Sequence, residues 1–122
     1  MAESTKLQTV TVLISSVGRR SQLIECFREA FRALGVRGRV IGTDIVPEHA
    51  SAAHLVDKCY RVQRCNDPEF IEEILRIAGE EEACLIVPTI DPELPVYAAN
   101  RERFLDRGIT VGVGPANRQD RL

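Results

Sequence analysis

The sequence predicts a three-layer α/β fold: an open parallel sheet of about five strands in the order 3-2-1-4-5, with helices on both faces. Two patterns predict it. Short β-branched apolar runs alternate with longer amphipathic stretches along the chain, as in strand–helix–strand units. Several of those runs are apolar at every position, as strands covered on both sides must be. Length agrees, since 122 residues with 44% hydrophobic and 28% charged suit one domain that needs no disulfide or metal staple. Right-handed crossovers about a central first strand then set the order.

Thr9 to Ser15 reads as the first strand, rich in Val, Ile and Thr and ending in small residues. A helix follows, with Leu23, Phe27, Ala30, Phe31 and Leu34 on one face and Gly35 as its stop. Arg39 to Asp44 is a second strand with an acid at its end. Pro47 to Val56 is loop with a short Ala-rich helix, and Cys59 to Val62 is a short edge-like strand. Asp67-Pro68-Glu69 opens a helix that carries Phe70, Ile71, Ile74, Leu75 and Ala78 on one face. Cys84 to Pro88 is the fourth strand. The same tripeptide, Asp91-Pro92-Glu93, opens a helix running to about Arg107-Gly108. In both tripeptides Asp suits the cap, Pro the first helical position, and Glu the positive end of the dipole. Ile109 to Val113 is the last strand, followed by a Gly-Pro turn and a polar tail.

Composition excludes several classes of function. No apolar run approaches the ~20 residues of a membrane span. Met1 to Lys6 is polar, unlike the basic start of a signal peptide. The net charge of −2 hides an asymmetry: residues 1–61 carry 9 Lys+Arg against 6 Asp+Glu, and residues 62–122 carry 7 against 12. Even so, Arg19-Arg20, Arg37 and Arg39 are too dispersed for a nucleic-acid stripe. Glu80-Glu81-Glu82 ends a helix and is expected to face solvent. Cys26, Cys59, Cys65 and Cys84 show no metal or redox spacing, and His49 and His54 have no ligand partner at metal spacing. Cys26 and Cys84 are expected to behave as small hydrophobes. Four free thiols imply a reducing, cytoplasmic compartment.

In an open parallel sheet, ligands bind beyond the carboxyl ends of the strands, where strand order reverses between strands one and four. That rule selects the loops Ser15–Arg20, Thr43–Pro47 and Pro88–Asp91. A helix start after Ser15 and Ser16 offers free N–H groups to an anion, Gly18 permits a tight turn, and Arg19 or Arg20 can grip a carboxylate or phosphate. Thr89 and Asp91 border the same crevice from the fourth strand. Asp44 stands where nucleotide-binding folds put a ribose-binding acid, with a turn-residue role as its alternative. The loop has one glycine, so it is neither the G-x-G-x-x-G fingerprint nor a P-loop. No catalytic triad, nucleophile elbow or paired carboxylates are evident.

Ser15-Ser16-x-Gly18-Arg19-Arg20, Thr43-Asp44 and Ile90-Asp91-Pro92-Glu93-Leu94, in this order within about Thr9 to Gly114, resemble the Rossmann-like N-terminal domain of ATP-grasp proteins. The resemblance is strongest to short relatives of the carbamoyl-phosphate synthase large subunit. It implies a domain set ahead of two lobes that clamp ATP and magnesium, in a ligase that joins a carboxylate to an amine or ammonia through an acyl phosphate. It further implies that Ser15–Arg20 and Thr89–Asp91 face the catalytic cleft and hold a carboxylate or amine substrate. ATP and Mg would bind the C-terminal lobes of the same protein and not residues 1–122, so this single domain would be inactive alone. Catalytic and metal-binding residues are not expected within it, nor a nucleic-acid or membrane partner; a homo-oligomer is compatible with the sequence. The reading frame is expected to continue past Leu122 for about 200 residues, since two more lobes require at least another domain's length. Two other readings compete: a stand-alone nucleotide- or NAD-binding module with Asp44 on a ribose, and a non-catalytic oligomerisation domain on an inherited scaffold.

Overall fold

The computed structural model describes residues 8–112. Strands β1 (Thr9–Ser15), β2 (Arg37–Asp44), β3 (Lys58–Arg61), β4 (Leu85–Pro88) and β5 (Thr110–Val111) form one sheet. Their order is β3-β2-β1-β4-β5 and every pairing is parallel, as the sequence predicts. Helix α1 (Ser21–Leu34) joins β1 to β2, and α2 (Glu69–Glu80) joins β3 to β4. Two 3₁₀ turns, Pro47–His49 and Ser51–Leu55, lie between β2 and β3. The predicted Val113 and the polar tail lie outside the described residues.

Alternation along the central strands divides the core in two. Leu13, Ile41 and Ile86 pack with Phe70, Ile71, Ile74, Leu75, Ile77 and Ala78 of α2 and with Tyr97 and Phe104. Val12, Ile14 and Val40 meet Ile24 and Phe31 of α1 on the other face. Every apolar position predicted for α2 is therefore buried. In α1 the contact is shorter than predicted. Ile24 and Phe31 are its buried residues, whereas Ala30 is exposed and Leu34 is 74% exposed. The contact ends at Phe31, whose ring occupies the space a side chain on Gly38 would fill. Gly35 closes α1 in the left-handed conformation, φ 68°, its N–H bonding back to Arg32 and Phe31 carbonyls.

Three further expectations are corrected. The helix after Asp91 is two short ones, α3 (Glu93–Ala99) and α4 (Arg101–Leu105). At the break, Asn100 Nδ2 donates to the Val96 carbonyl at 2.9 Å, competing with the backbone ladder. Glu81 does not face solvent: its side chain is 12% exposed and takes Arg39 Nη1 at 2.9 Å and the Tyr60 hydroxyl. It thereby ties the end of α2 to β2 and β3. Lastly, Cys26 and Cys84 are exposed and contribute nothing to the core, although all four cysteines are free as expected. No helix among the described residues is long and apolar enough to cross a membrane.

Candidate functional site

The crevice opens where β1 and β4 release the chain in different directions. From β1, Ser16 turns into the left-handed region at φ 57° and Gly18 follows at φ 46°. The turn is held from three sides. Val17 N donates to the Thr43 carbonyl at 2.9 Å, Gly18 N donates to Asp44 Oδ2 at 3.0 Å, and the Thr89 hydroxyl reaches the Ser15 and Ser16 carbonyls at 2.9 and 2.6 Å. A non-glycine residue at positive φ stores strain and persists where its surroundings over-determine it.

These contacts divide the predicted site residues into two groups. Ser15 is fully buried, and its Oγ accepts from the buried Tyr97 hydroxyl at 2.8 Å, so it stands behind the crevice. Asp44 holds Gly18 N with one oxygen and Val46 N, at 3.1 Å, with the other. Both oxygens are thus engaged by its own chain, the geometry of the turn-residue alternative. Arg19, Arg20 and Thr89 do come together. With Ser21, Gln22, Leu23 and Pro88 they line an open, mostly polar groove of about 630 Å³ at the start of α1. Arg20 Nη2 donates to the Thr89 carbonyl at 2.9 Å, bridging the crevice. Arg19 is exposed and makes no side-chain hydrogen bond or ion pair among the described residues. Asp91 is exposed, its side chain making no hydrogen bond among the described residues, and α3 has no side-chain cap. The Asp91 cap predicted from sequence is therefore absent.

Glu93 is the residue that sequence reasoning underrated. Its expected part was to meet the positive end of a helix dipole, and it does stand in the first turn of α3, but it is also 2% exposed. One oxygen, Oε2, accepts from the Ser16 hydroxyl. The other, Oε1, is buried with no hydrogen-bond partner of acceptable geometry among the described residues. Burial pushes its carboxyl above the usual range; the Ser16 and Ser15 hydroxyls pull the other way, and the Asp44 charge adds to the rise. Tyr97 is raised too, mainly by burial. Glu93 and Tyr97 are four residues apart, so they share a helical face and reach Ser16 and Ser15 side by side. That spacing, at the end of the strand beside the switch point, was the available signal.

Glu93 also lines a second, smaller cleft of about 300 Å³ with Ser16, Val62, Arg64, Phe70 and Ile90 among its walls. Ser16 lines this cleft, and Arg19 and Arg20, which follow the same turn in sequence, line the larger groove. Among the described residues no group of three His, Cys, Asp or Glu side chains is placed to hold a metal ion, and His49 and His54 are both exposed.

Residues 12–112 match the family described as PylC-like, N-terminal domain. A comparison with curated protein sequences finds no match. Among solved structures, the fold is similar to part of Rhizobium etli pyruvate carboxylase T882A, determined with the allosteric activator acetyl coenzyme-A. The TM-score is 0.58 at 18% identity, covering 94% of this chain and 11% of that one. At that identity the likeness is one of fold, and this chain spans about a tenth of that protein's length.

Proposed function

The chain belongs to the PylC-like N-terminal domains and is the N-terminal domain of an ATP-grasp protein, and from that premise we propose that it is the substrate-side domain of a carboxylate–amine ligase. Carbamoyl-phosphate-synthase-like chemistry, with an acyl phosphate that an amine or ammonia attacks, is the form of the reaction the sequence motifs favour. ATP, magnesium and the phosphoryl transfer belong to lobes of the protein outside these residues. The part assigned to this domain is to bind and orient a substrate at the β1–β4 crevice.

One observation carries the reading. Two arginines line a polar groove at the switch point of a parallel sheet, one a strut to Thr89 and the other without a side-chain partner among the described residues. An uncommitted guanidinium beside the first turn of a 14-residue helix offers an anion both fork-shaped donors and a favourable dipole. A substrate carboxylate is the anion this ligase reading supplies. The Asp44 geometry gives no support to the dinucleotide alternative.

The test is made on the protein translated from the reading frame past codon 122. ADP release that requires both a carboxylate and an amine is the expected result. Arg19→Ala should raise the KM for the carboxylate about tenfold or more, the value of one lost charge-assisted contact. A frame that ends at Leu122, or turnover indifferent to Arg19→Ala, overturns the proposal.

A further inference from the structure

We infer that Glu93 is a positioning residue for the arginine groove: from the first turn of α3 it holds Ser16 in its left-handed turn, and so fixes the path by which the chain leaves β1 for Arg19 and Arg20. The inference rests on the reading of that groove as an anion site and adds the element that shapes it. The argument begins with the backbone. Ser16 stands at φ 57°, a conformation that glycine adopts freely and a residue with a side chain does not. Such a residue keeps its place only where its surroundings impose it. Among the described residues the Ser16 hydroxyl has one partner, the Glu93 carboxylate.

Glu93 does not line the arginine groove and is almost wholly buried, so it acts on the turn and not on a ligand there. Burial pushes its carboxyl up, while the Ser16 and Ser15 hydroxyls and the Thr89 backbone pull it back. Those three residues are where β1 and β4 end. One turn further along α3, the Tyr97 hydroxyl donates to Ser15 Oγ at 2.8 Å. Thr89 gives its hydroxyl to the Ser15 and Ser16 carbonyls and its own carbonyl to Arg20 Nη2. The segment from Thr89 to Tyr97 thus grips the exit of β1 with its side chains and one groove arginine with its backbone. On the β2 side, the bonds from Val17 N and Gly18 N to Thr43 and Asp44 fix the residues that follow. At Ser16 itself, the side-chain hold is Glu93.

Charge and position are separable here. A carboxylate and a side-chain amide both offer the Ser16 hydroxyl an acceptor oxygen. Positioning therefore survives Glu93→Gln, whereas an effect of the negative charge on the arginines does not. Glycine separates positioning from general stability, since it takes the turn without a partner yet refills no space left by a missing Glu93 side chain.

The experiment titrates the 122-residue chain with inorganic phosphate, following the backbone amide shifts of Arg19, Arg20 and Ser21. Ser16→Ala removes the donor and Glu93→Ala the acceptor. Each should weaken phosphate binding about fivefold or more, because a released left-handed residue must be returned to its turn before the groove can bind. The double variant should bind no more weakly than either single one, since both delete the same bond. Glu93→Gln should stay within about twofold of the parent, its amide oxygen replacing the acceptor. Ser16→Gly should bind as the parent does, and in the Glu93→Ala background it should restore most of the lost affinity. If Glu93→Ala does not fold, the contrast between Ser16→Ala and Ser16→Gly decides the matter. Undiminished binding in Ser16→Ala, equal losses in Ser16→Gly and Ser16→Ala, or a loss in Glu93→Gln as large as in Glu93→Ala would each overturn the inference and leave the anion groove standing. A parent chain whose Arg19, Arg20 and Ser21 amides do not respond to phosphate overturns the groove itself, and the inference with it.

Discussion

A methyl group placed on Gly38 tests how α1 is seated, and with it the groove at the helix's start. A Cβ built there would lie 1.9 Å from Phe31 Cδ2, 2.1 Å from Cγ and 2.3 Å from Cε2. Those atoms belong to a ring, so no small rotation clears all three and Phe31 must leave its place. Overpacking typically costs about 1–3 kcal/mol, and full loss of a buried Phe about 3–5. Phe31 is 7% exposed and lies in the last turn of α1, so part of its burial survives the shift. Replacing Gly in a strand recovers about 0.5–1 kcal/mol. The expected net loss for Gly38→Ala is about 2 kcal/mol, read from urea midpoints at constant m-value. The decisive control is a double-mutant cycle with Phe31→Ala. In that background the methyl group meets no ring, so Gly38→Ala should be neutral or stabilising. A Gly38→Ala protein as stable as the parent, or the same loss with and without Phe31, would refute the packing argument.

Thr89→Val removes the hydroxyl bonded to the Ser15 and Ser16 carbonyls at nearly constant volume; it should lose about 1 kcal/mol and speed amide exchange at Val17 and Gly18. Glu81 is held below the usual carboxylate range, first by the Tyr60 hydroxyl and then by Arg39. Its contribution is therefore present above the unfolded value and lost as pH falls through the depressed one. Glu81→Gln should be less stable than the parent near neutrality, with the gap closing in acid. Glu93 has the opposite sign, because burial raises its folded value. Its neutral form favours folding in acid, and that stability fades as pH rises through the raised value. Glu93→Gln should thus gain on the parent as pH rises; a constant difference across urea titrations at several pH values would contradict the assignment.

The sheet was legible because its strands carry their own signal. Val, Ile and Thr runs ending at Ser15, Asp44 and Pro88 mark the strand ends that frame the crevice, and the order 3-2-1-4-5 follows from chirality and centrality. Which side chains fill the crevice was legible only in part. Arg19, Arg20 and Thr89 meet, since their loops are the ones the switch-point rule selects. Glu81 was misplaced because charge in a sequence suggests solvent and nothing local reveals a partner 21 residues away in Tyr60; nor does anything local reveal that Glu93 meets Ser16, 77 residues away. The split after Ala99 was likewise hidden, because an Asn reads as a tolerable helix residue until its side chain is seen bonding to Val96.

The two Asp-Pro-Glu tripeptides show where local reasoning ends. At the first, Asp67 Oδ1 accepts from Glu69 N at 2.8 Å and Glu69 is exposed, as capping rules predict. At the second, the roles invert: Asp91 is exposed without a cap bond, and Glu93 is buried against Ser16. The residues are identical, so the difference lies in position. The first tripeptide follows the edge strand β3, where its Glu can remain in solvent. The second follows β4, beside the central strand, and its Glu enters the space beside the β1 turn. Burial there pushes its carboxyl above the usual range, against the pull of the Ser16 and Ser15 hydroxyls.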